Sequence, residues 1–149
     1  MNPLFALLVL QTPFVAKDAG LTWNFPGTIK AAAGRYDLIG KNLRGEVHWF
    51  VAKSGRFEAE ALYKSDTQRT KESDQTKSFS HQRSDVTFAG GPAIRSDQLY
   101  LWNDAAVSSR CIYASQGNRA WVIRLWWPRA EEKTSAVADA VLKSFRRFP

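Results

Sequence analysis

The chain has 149 residues, a net charge of +7 and one cysteine, Cys111. Its length suits a single domain that buries its own core, and one cysteine excludes an internal disulfide framework. Six Trp and nine Phe favour an ordered fold, because large buried rings offset the entropy lost on folding. The basic residues are scattered rather than gathered in runs, so the charge indicates a basic surface rather than a dedicated nucleic-acid-binding segment.

The N-terminal segment is apolar and bears on the cellular location of the protein. Residues 4–10 carry no charge, and the run is too short for a membrane span of about 20 residues but has the length of a signal-peptide core. We expect residues 1–19 to be a signal peptide or, alternatively, an apolar N-terminal segment, and residues 20–149 to form one domain. An exported chain would start between Gln11 and Leu21 and reside in the cell envelope, the periplasm or the medium. The alternative location is the cytoplasm.

The first half of the chain gives a mixed pattern. Residues 21–25 alternate apolar and polar side chains, which predicts a half-buried strand. Residues 28–45 are weakly patterned, with a possible helical turn at 31–33, and residues 46–52 are rich in strand formers. Residues 57–64 predict a short amphipathic helix. Residues 65–78 are almost entirely polar and predict either an exposed loop or a frayed extension of that helix.

The second half predicts four strands at 79–88, 93–102, 107–115 and 120–127, followed by a helix from residue 130. In the last strand, Trp121 and Ile123 point to one face, whereas Arg124 and Trp126 point to the other. The helix carries an apolar stripe made of Thr134, Val137, Ala138, Val141, Leu142 and Phe145. Strands joined by short turns indicate an antiparallel sheet. The sequence therefore predicts an α+β fold, an α/β/α sandwich with the C-terminal amphipathic helix packed on the sheet.

A family resemblance follows from the order of these elements and from three short sequence segments, the last of which is a closing motif. The first strand ends in Trp-Asn-Phe-Pro at residues 23–26, and a later strand runs into Phe-Ala-Gly-Gly-Pro-Ala-Ile-Arg at 88–95. The chain closes on Val-Leu-Lys-Ser-Phe-Arg at 141–146, after a hydrophobic strand. This arrangement resembles PsbP-like and Mog-type domains, including small bacterial members of that fold, over most of residues 20–147.

The resemblance implies a binding or accessory role rather than catalysis. Domains of this kind include extrinsic photosystem subunits, a Ran-binding transport factor and secreted or lipid-anchored bacterial proteins. This chain has no cysteine near its N-terminus, so the resemblance does not extend to a lipid anchor. No residue role carries over from the family, since a fold by itself does not imply a function.

The residues that commonly carry chemistry form no recognisable motif in this chain. His48 and His81 are the only histidines, and neither has further ligands at the spacing of a zinc site. Cys111 is best interpreted as a small buried hydrophobic residue. No phosphate-binding or nucleophile motif occurs, so we expect no catalytic residues, metal or cofactor. A small hydrolase or isomerase that uses one of the histidines is kept as an alternative.

Candidate ligand contacts are basic and aromatic residues of the predicted sheet. They are Arg83, Arg95, Arg124, Trp102 and Trp126. We expect the ligand to lie in a concavity at the sheet edge or under residues 65–78, and the partner to be a protein or a small anionic molecule. Rings and arginines on one sheet face could instead stack nucleic-acid bases. Packing of both faces against helices explains the aromatic content better. We expect a monomer without a transmembrane segment.

Overall fold

The computed structural model describes residues 12–149, which form ten strands and two helices. The strands are β1 Phe14–Ala16, β2 Leu21–Trp23, β3 Thr28–Ala32, β4 Arg35–Ile39, β5 Arg44–Val51, β6 Thr76–Phe88, β7 Gly91–Trp102, β8 Ala105–Gln116, β9 Arg119–Pro128 and β10 Arg146–Arg147. Helix α1 spans Ala59–Glu72, between β5 and β6, and helix α2 spans Thr134–Ser144, between β9 and β10. The apolar run at residues 4–10 lies outside the described part of the chain.

Seven of the strands form one antiparallel sheet in the order β3-β4-β5-β9-β8-β7-β6. Strands β6 to β9 are joined by short turns, as predicted, and each pairs with its neighbour along the chain. Strand β5 pairs with β9 and thereby brings strands β3 and β4 into the same sheet. Strands β1, β2 and β10 form a second, three-stranded sheet. No helix within residues 12–149 is long and apolar enough to cross a membrane.

One face of the large sheet, here called the core face, carries most of the apolar core. Alternation along β9 sends Trp121, Ile123 and Leu125 to this face, where they are buried. Apolar residues of helix α2 and of the small sheet belong to the same cluster. Phe145, directly after α2, stacks on Trp23 with 5.1 Å between ring centroids. The small sheet and α2 therefore cover the core face together.

The opposite face, here called the α1 face, is covered by helix α1. Its apolar cluster is small and consists of Tyr63, Ile94, Cys111, Tyr113 and Val122. Helix α1 buries mainly polar residues against it, and these are Tyr63, Asp66, Thr67 and Thr70. Because each helix covers a different face, the predicted α/β/α arrangement of the α+β fold is confirmed.

The sequence-based interpretation was wrong for residues 28–45. These residues form the β3–β4 hairpin instead of an irregular stretch with a helical turn. Strand β3 is an exposed edge strand, so its side chains show no apolar alternation. The alanines read as helix formers, but pairing with β4 overrides that local preference. Gly34 allows the tight turn because it adopts a φ of 70° at no steric cost.

Both helices differ from the predicted bounds. Helix α1 continues to Glu72, so most of the predicted loop at 65–78 is helical, as the alternative had it, and the rest enters β6. Helix α2 begins at Thr134, and Glu131 and Glu132 therefore precede its first turn. It ends at Ser144, because Phe145 is extended and the two arginines that follow pair with β2. Arg146 and Arg147 thus belong to a strand rather than to the last turn of a helix.

Candidate functional site

A cavity of about 500 Å³ opens on the α1 face beside the C-terminal end of α1. Its lining combines rings, arginines and small residues from β5, β7, β8, β9 and the helix. The lining residues are Glu46, Arg69, Thr70, Ser73, Tyr100, Trp102, Ala105, Val107, Arg124 and Trp126. The cavity lies under residues 69–73 and therefore within the region that the sequence proposed for a ligand.

The cavity exists because a strand with small side chains runs between two strands with large ones. Strand β8 separates β7, which carries Tyr100 and Trp102, from β9, which carries Trp126. At the cavity, β8 contributes only Ala105 and Val107, which pair with Trp102 and Tyr100. Helix α1 ends at Glu72, so only its last turn, with Arg69 and Thr70, reaches this end of the sheet. Side-chain size and helix length together leave the space open.

Aromatic rings form much of the wall. Tyr100 and Trp102 meet edge to face, with 6.5 Å between their centroids, and Trp126 stands on the other side of the small strand. Trp102 remains 39% exposed. Trp102 and Trp126 are not fully buried, unlike Trp121 and Trp127 on the core face. Double-sided packing therefore explains the core-face tryptophans but not these two.

An ion pair between α1 and β9 forms the polar floor of the cavity. The Arg124 guanidinium donates hydrogen bonds to Asp66 and, at 3.4 Å, to the Thr70 hydroxyl. The Tyr113 hydroxyl donates to the same Asp66 carboxylate at 2.5 Å, and Arg69 donates to its other oxygen at 2.7 Å. Asp66 is only 6% exposed. Two arginines and one tyrosine therefore satisfy a single buried carboxylate, as burial of a charge requires.

The environment of this network determines the charges in it. Burial alone would raise the pKa of Asp66, but the charge of Arg124 and the hydrogen bonds from Tyr113 and Arg69 outweigh it and lower the pKa. Asp66 is therefore ionised at neutral pH. Burial raises the pKa of Tyr113, which keeps its hydroxyl protonated as a donor. Burial likewise raises the pKa of Cys111, so its thiol is neutral and unreactive.

Glu46 brings a second carboxylate to the cavity wall. It pairs with Nε2 of His48 at 2.8 Å, and this hydrogen bond lowers the pKa of Glu46. The imidazole of His48 stacks on the Phe50 ring outside the cavity lining. Both side chains of the pair are about one-third exposed. A histidine–carboxylate pair thus borders the cavity, but only its carboxylate faces in.

The structure brings together three of the five predicted site residues. Arg124, Trp102 and Trp126 all line the cavity, although β8 lies between the two strands that carry the tryptophans. Arg95 lies on the core face instead, where it pairs with Asp97 at 2.8 Å. Arg83 is on β6 outside the cavity and pairs with Glu60 of α1, also at 2.8 Å.

Sequence analysis missed the contribution of helix α1. Arg69 and Thr70 fall in the polar stretch that was expected to be a loop or a frayed helix, so no apolar stripe marked them. Asp66 gave no signal either, since its partners Tyr113 and Arg124 lie 47 and 58 residues away. Helical spacing of Asp66, Arg69 and Thr70 was the one available signal.

The two histidines occupy separate places. His81 contacts the Tyr63 hydroxyl at 2.8 Å on the α1–β6 side, far along the chain from the Glu46–His48 pair. Within residues 12–149, no group of three or more His, Cys, Asp or Glu side chains is arranged to hold a metal ion. The free thiol of Cys111 is buried and packs with Tyr113 as part of the α1-face cluster, in agreement with its interpretation as a small core residue.

Comparison with known proteins identifies the fold. No family model and no curated protein matches this chain. Among solved structures, CyanoP, the cyanobacterial PsbP of Synechocystis sp. PCC 6803, has a TM-score of 0.67 at 9% identity and covers 92% of both chains. LpqN of Mycobacterium tuberculosis, described as involved in cell envelope biogenesis, has a TM-score of 0.55 at 14% identity and covers 93% of this chain and 90% of its own.

A protein from Bacteroides thetaiotaomicron VPI-5482 is similar as well, with a TM-score of 0.62 at 14% identity. The match covers 92% of this chain, which spans about half the length of that structure (48%). At such identities the matches concern the fold alone. The expectation drawn from element order and the closing motif is confirmed, and the chain has a PsbP-like α+β fold.

Proposed function

We propose that this chain is an exported, non-enzymatic binding domain whose α1-face cavity takes a small ligand with an apolar or aromatic body and an anionic end. One observation carries the proposal, namely a cavity of about 500 Å³ in which Tyr100, Trp102 and Trp126 surround two arginines. Ligand sites in proteins are concave, mostly apolar and equipped with a few convergent polar groups. This cavity has each of those properties.

The walls determine the chemistry of the ligand body. Rings that line an open cavity offer flat apolar surface, which favours an aromatic or aliphatic group over an ion. The two tryptophans retain exposed surface without an internal partner that covers them, and a ligand would bury it. The gain expected is about 25 cal/mol for each Å² of apolar surface removed from water.

The polar groups determine the orientation of the ligand. Arg69 and Arg124 share the single carboxylate of Asp66, and the carboxylate of Glu46 lies on the neighbouring strand directly opposite Arg124. Arg69 is the accessible arginine, since its side chain is 81% exposed. Glu46, beside Arg124, would repel a second anionic group there. A ligand with one anionic end, directed at Arg69, matches this distribution.

Export is supported by the apolar run at residues 4–10 and by the envelope-associated description of LpqN. Strand β1 begins at Phe14 and pairs with β2, and Ala16 and Ala19 are buried in the core. Cleavage between Gln11 and Phe14 would therefore keep this strand, whereas cleavage after Ala19 would remove it. We expect N-terminal sequencing of the secreted protein to give a start in the earlier interval. An uncleaved cytosolic chain would refute export.

The binding proposal is tested with 1-anilinonaphthalene-8-sulfonate, which joins an aromatic body to one anionic group. We expect saturable binding at one site, seen as enhanced dye fluorescence. Val107→Trp fills the cavity from the small strand and should weaken binding at least about tenfold, which corresponds to about 1.4 kcal/mol. Leu99→Trp is the matched control, because it adds the same ring at an exposed position outside this cavity.

Other outcomes would contradict the proposal. Equal dye binding by both variants would show that the dye binds outside this cavity. Near-UV circular dichroism of each variant checks that the dye fluorescence does not arise from a loosened core. Single-stranded DNA that binds with a steep salt dependence and competes with the dye would favour the nucleic-acid alternative. Ester hydrolysis that is lost in His48→Asn would favour the enzyme alternative, since His48 is held by Glu46 at the rim.

A further inference from the structure

A second cleft, separate from the α1-face cavity, lies where the small sheet meets the β8–β9 turn. Its volume is about 310 Å³, and here it is called the basic cleft. It is lined by Lys17, Gly20, Gln116, Arg119, Trp121, Arg147, Phe148 and Pro149. Three cations from three separate elements converge on it. Among the residues that line it, no aspartate or glutamate side chain occurs.

Arg147 is the central cation. Its guanidinium lies over the Trp121 ring, 3.8 Å from the centroid, so its plane is held against a buried aromatic surface. Nη1 is buried and donates no hydrogen bond within residues 12–149. Desolvation lowers the pKa of Arg147. A partly buried guanidinium normally acquires a carboxylate partner, because an uncompensated charge in such a place is costly.

The ion pairs found within residues 12–149 include none to Lys17, Arg119 or Arg147. Asp18 follows Lys17 directly in the sequence. Its carboxylate does not pair with the cations of the cleft but accepts hydrogen bonds from the Tyr36 hydroxyl and from the Ala19 backbone. Within residues 12–149, no side-chain carboxylate therefore forms an ion pair with the three cations of the basic cleft.

Arg119 is held in place by the backbone around it. Its Nη1 donates to the Asp18 carbonyl oxygen at 3.5 Å. The same Nη1 occupies the space that a side chain at residue 20 would need, because a Cβ on Gly20 would lie 2.5 Å from it. Gly20 also adopts a φ of 69°, which disfavours any other residue. The chain thus fixes a second guanidinium next to the first without a side-chain carboxylate that pairs with it among residues 12–149.

From these contacts we propose that the basic cleft is a binding site for a phosphate group, with Arg119 and Arg147 as the guanidinium clamp and Lys17 as the third cation. Guanidinium forks match phosphate oxygens in geometry, and two of them with an ammonium suit a dianion better than a single carboxylate. The cleft volume accommodates one phosphate group. Gln116 and Arg147 also line a neighbouring hollow of about 300 Å³, which provides room for the rest of the ligand.

The phosphate group could belong to a soluble phosphate ester or to a lipid headgroup, and two measurements separate these sources. Inorganic phosphate at about 20 mM should raise the melting temperature of the protein by about 3 °C relative to chloride of the same ionic strength. Vesicles of phosphatidic acid in phosphatidylcholine are compared with vesicles of phosphatidylcholine alone in a sedimentation assay, because the phosphomonoester headgroup of phosphatidic acid can carry two negative charges. A shift with phosphate without sedimentation indicates a soluble phosphate ester, and sedimentation with the anionic vesicles indicates a lipid headgroup.

Variants tie either result to the basic cleft. Arg147→Met keeps a flexible chain over Trp121 but removes the charge, and should abolish the phosphate shift while leaving the melting temperature without phosphate unchanged or higher. Lys17→Gln is the second variant, because Lys17 is exposed and its loss cannot prevent folding. Arg146→Gln is the matched control, since it removes the same charge from the neighbouring residue outside the cleft.

The proposal is overturned if neither phosphate nor anionic vesicles act on the wild-type protein. It is also overturned if Arg147→Met and Lys17→Gln respond as strongly as Arg146→Gln, because the effect would then come from net charge alone. The dye assay at the α1-face cavity is independent of this result. Failure at one site therefore leaves the other testable.

Discussion

The two faces of the large sheet differ in the size of their apolar clusters. The core face carries one continuous apolar cluster that includes helix α2 and the small sheet. The α1 face has a cluster of five buried residues and a polar network centred on Asp66 and Arg124. Apolar packing needs only complementary volumes, whereas a buried ion pair needs each polar atom to be satisfied. The core face therefore contributes most of the apolar core, and the α1 face contributes the ion-pair network that borders the candidate cavity.

The largest effect is expected on the core face. Phe145→Ala removes a fully buried ring that stacks on Trp23 and touches Phe88. It should lower the free energy of unfolding by about 4 kcal/mol in urea denaturation. Phe50→Ala is the matched control, because Phe50 is exposed on the other face and should lose about 0.5 kcal/mol. Similar losses for both would contradict the assignment of the main core to the core face.

The next effect concerns the network on the α1 face. Asp66→Asn leaves Arg124 partly buried without its counter-charge and should lower the free energy of unfolding by about 3 kcal/mol. Arg69→Gln removes an exposed partner of the same carboxylate and should cost about 0.5 kcal/mol or less. Urea denaturation of both variants measures the difference. A large loss of unfolding free energy for Arg69→Gln, with a small loss for Asp66→Asn, would contradict our assignment of Asp66 and Arg124 as the main ion pair.

The contribution of Asp66 to stability should also appear as a dependence of the unfolding free energy on pH. The folded-state pKa of Asp66 is lowered, so its contribution to stability is present above the unfolded pKa of about 3.9 and is lost as the pH falls through the folded pKa. The urea midpoint of the wild-type protein should therefore decrease below about pH 4. Asp66→Asn should show a shallower decrease, and an unchanged slope would exclude Asp66 as a main contributor.

The smallest effect compares equivalent truncations on the two faces. Ile112 on the core face and Ile94 on the α1 face are both buried, in different clusters. Ile112→Val should lower the free energy of unfolding by about 1 kcal/mol, and Ile94→Val by about 0.5 kcal/mol, since a looser environment relaxes more around a lost methylene group. The two urea curves measure this difference. An equal or larger loss at Ile94 would show that the α1 face is packed as tightly as the core face.

Local pattern was sufficient for much of this architecture. Alternation in residues 120–127 placed Trp121 and Ile123 on one face and Arg124 and Trp126 on the other, because side chains of a strand alternate whatever the strand pairs with. The apolar stripe of α2 and the turns between β6 and β9 follow from similarly short-range preferences. An antiparallel α+β fold was predicted on this basis, and its PsbP-like character was predicted from the resemblance in element order and closing motif. Three of the five proposed ligand contacts line one cavity.

Long-range contacts decided the remainder. The β3–β4 hairpin is an exposed edge whose pairing is not encoded in an apolar pattern. The burial of Asp66 depends on an arginine 58 residues away, and the basic cleft unites Lys17 with Arg119 and Arg147 from the far end of the chain. A polar residue becomes buried, paired or left unpaired only according to its neighbours in space. Local sequence therefore specified strands and faces, whereas tertiary structure alone created both candidate sites.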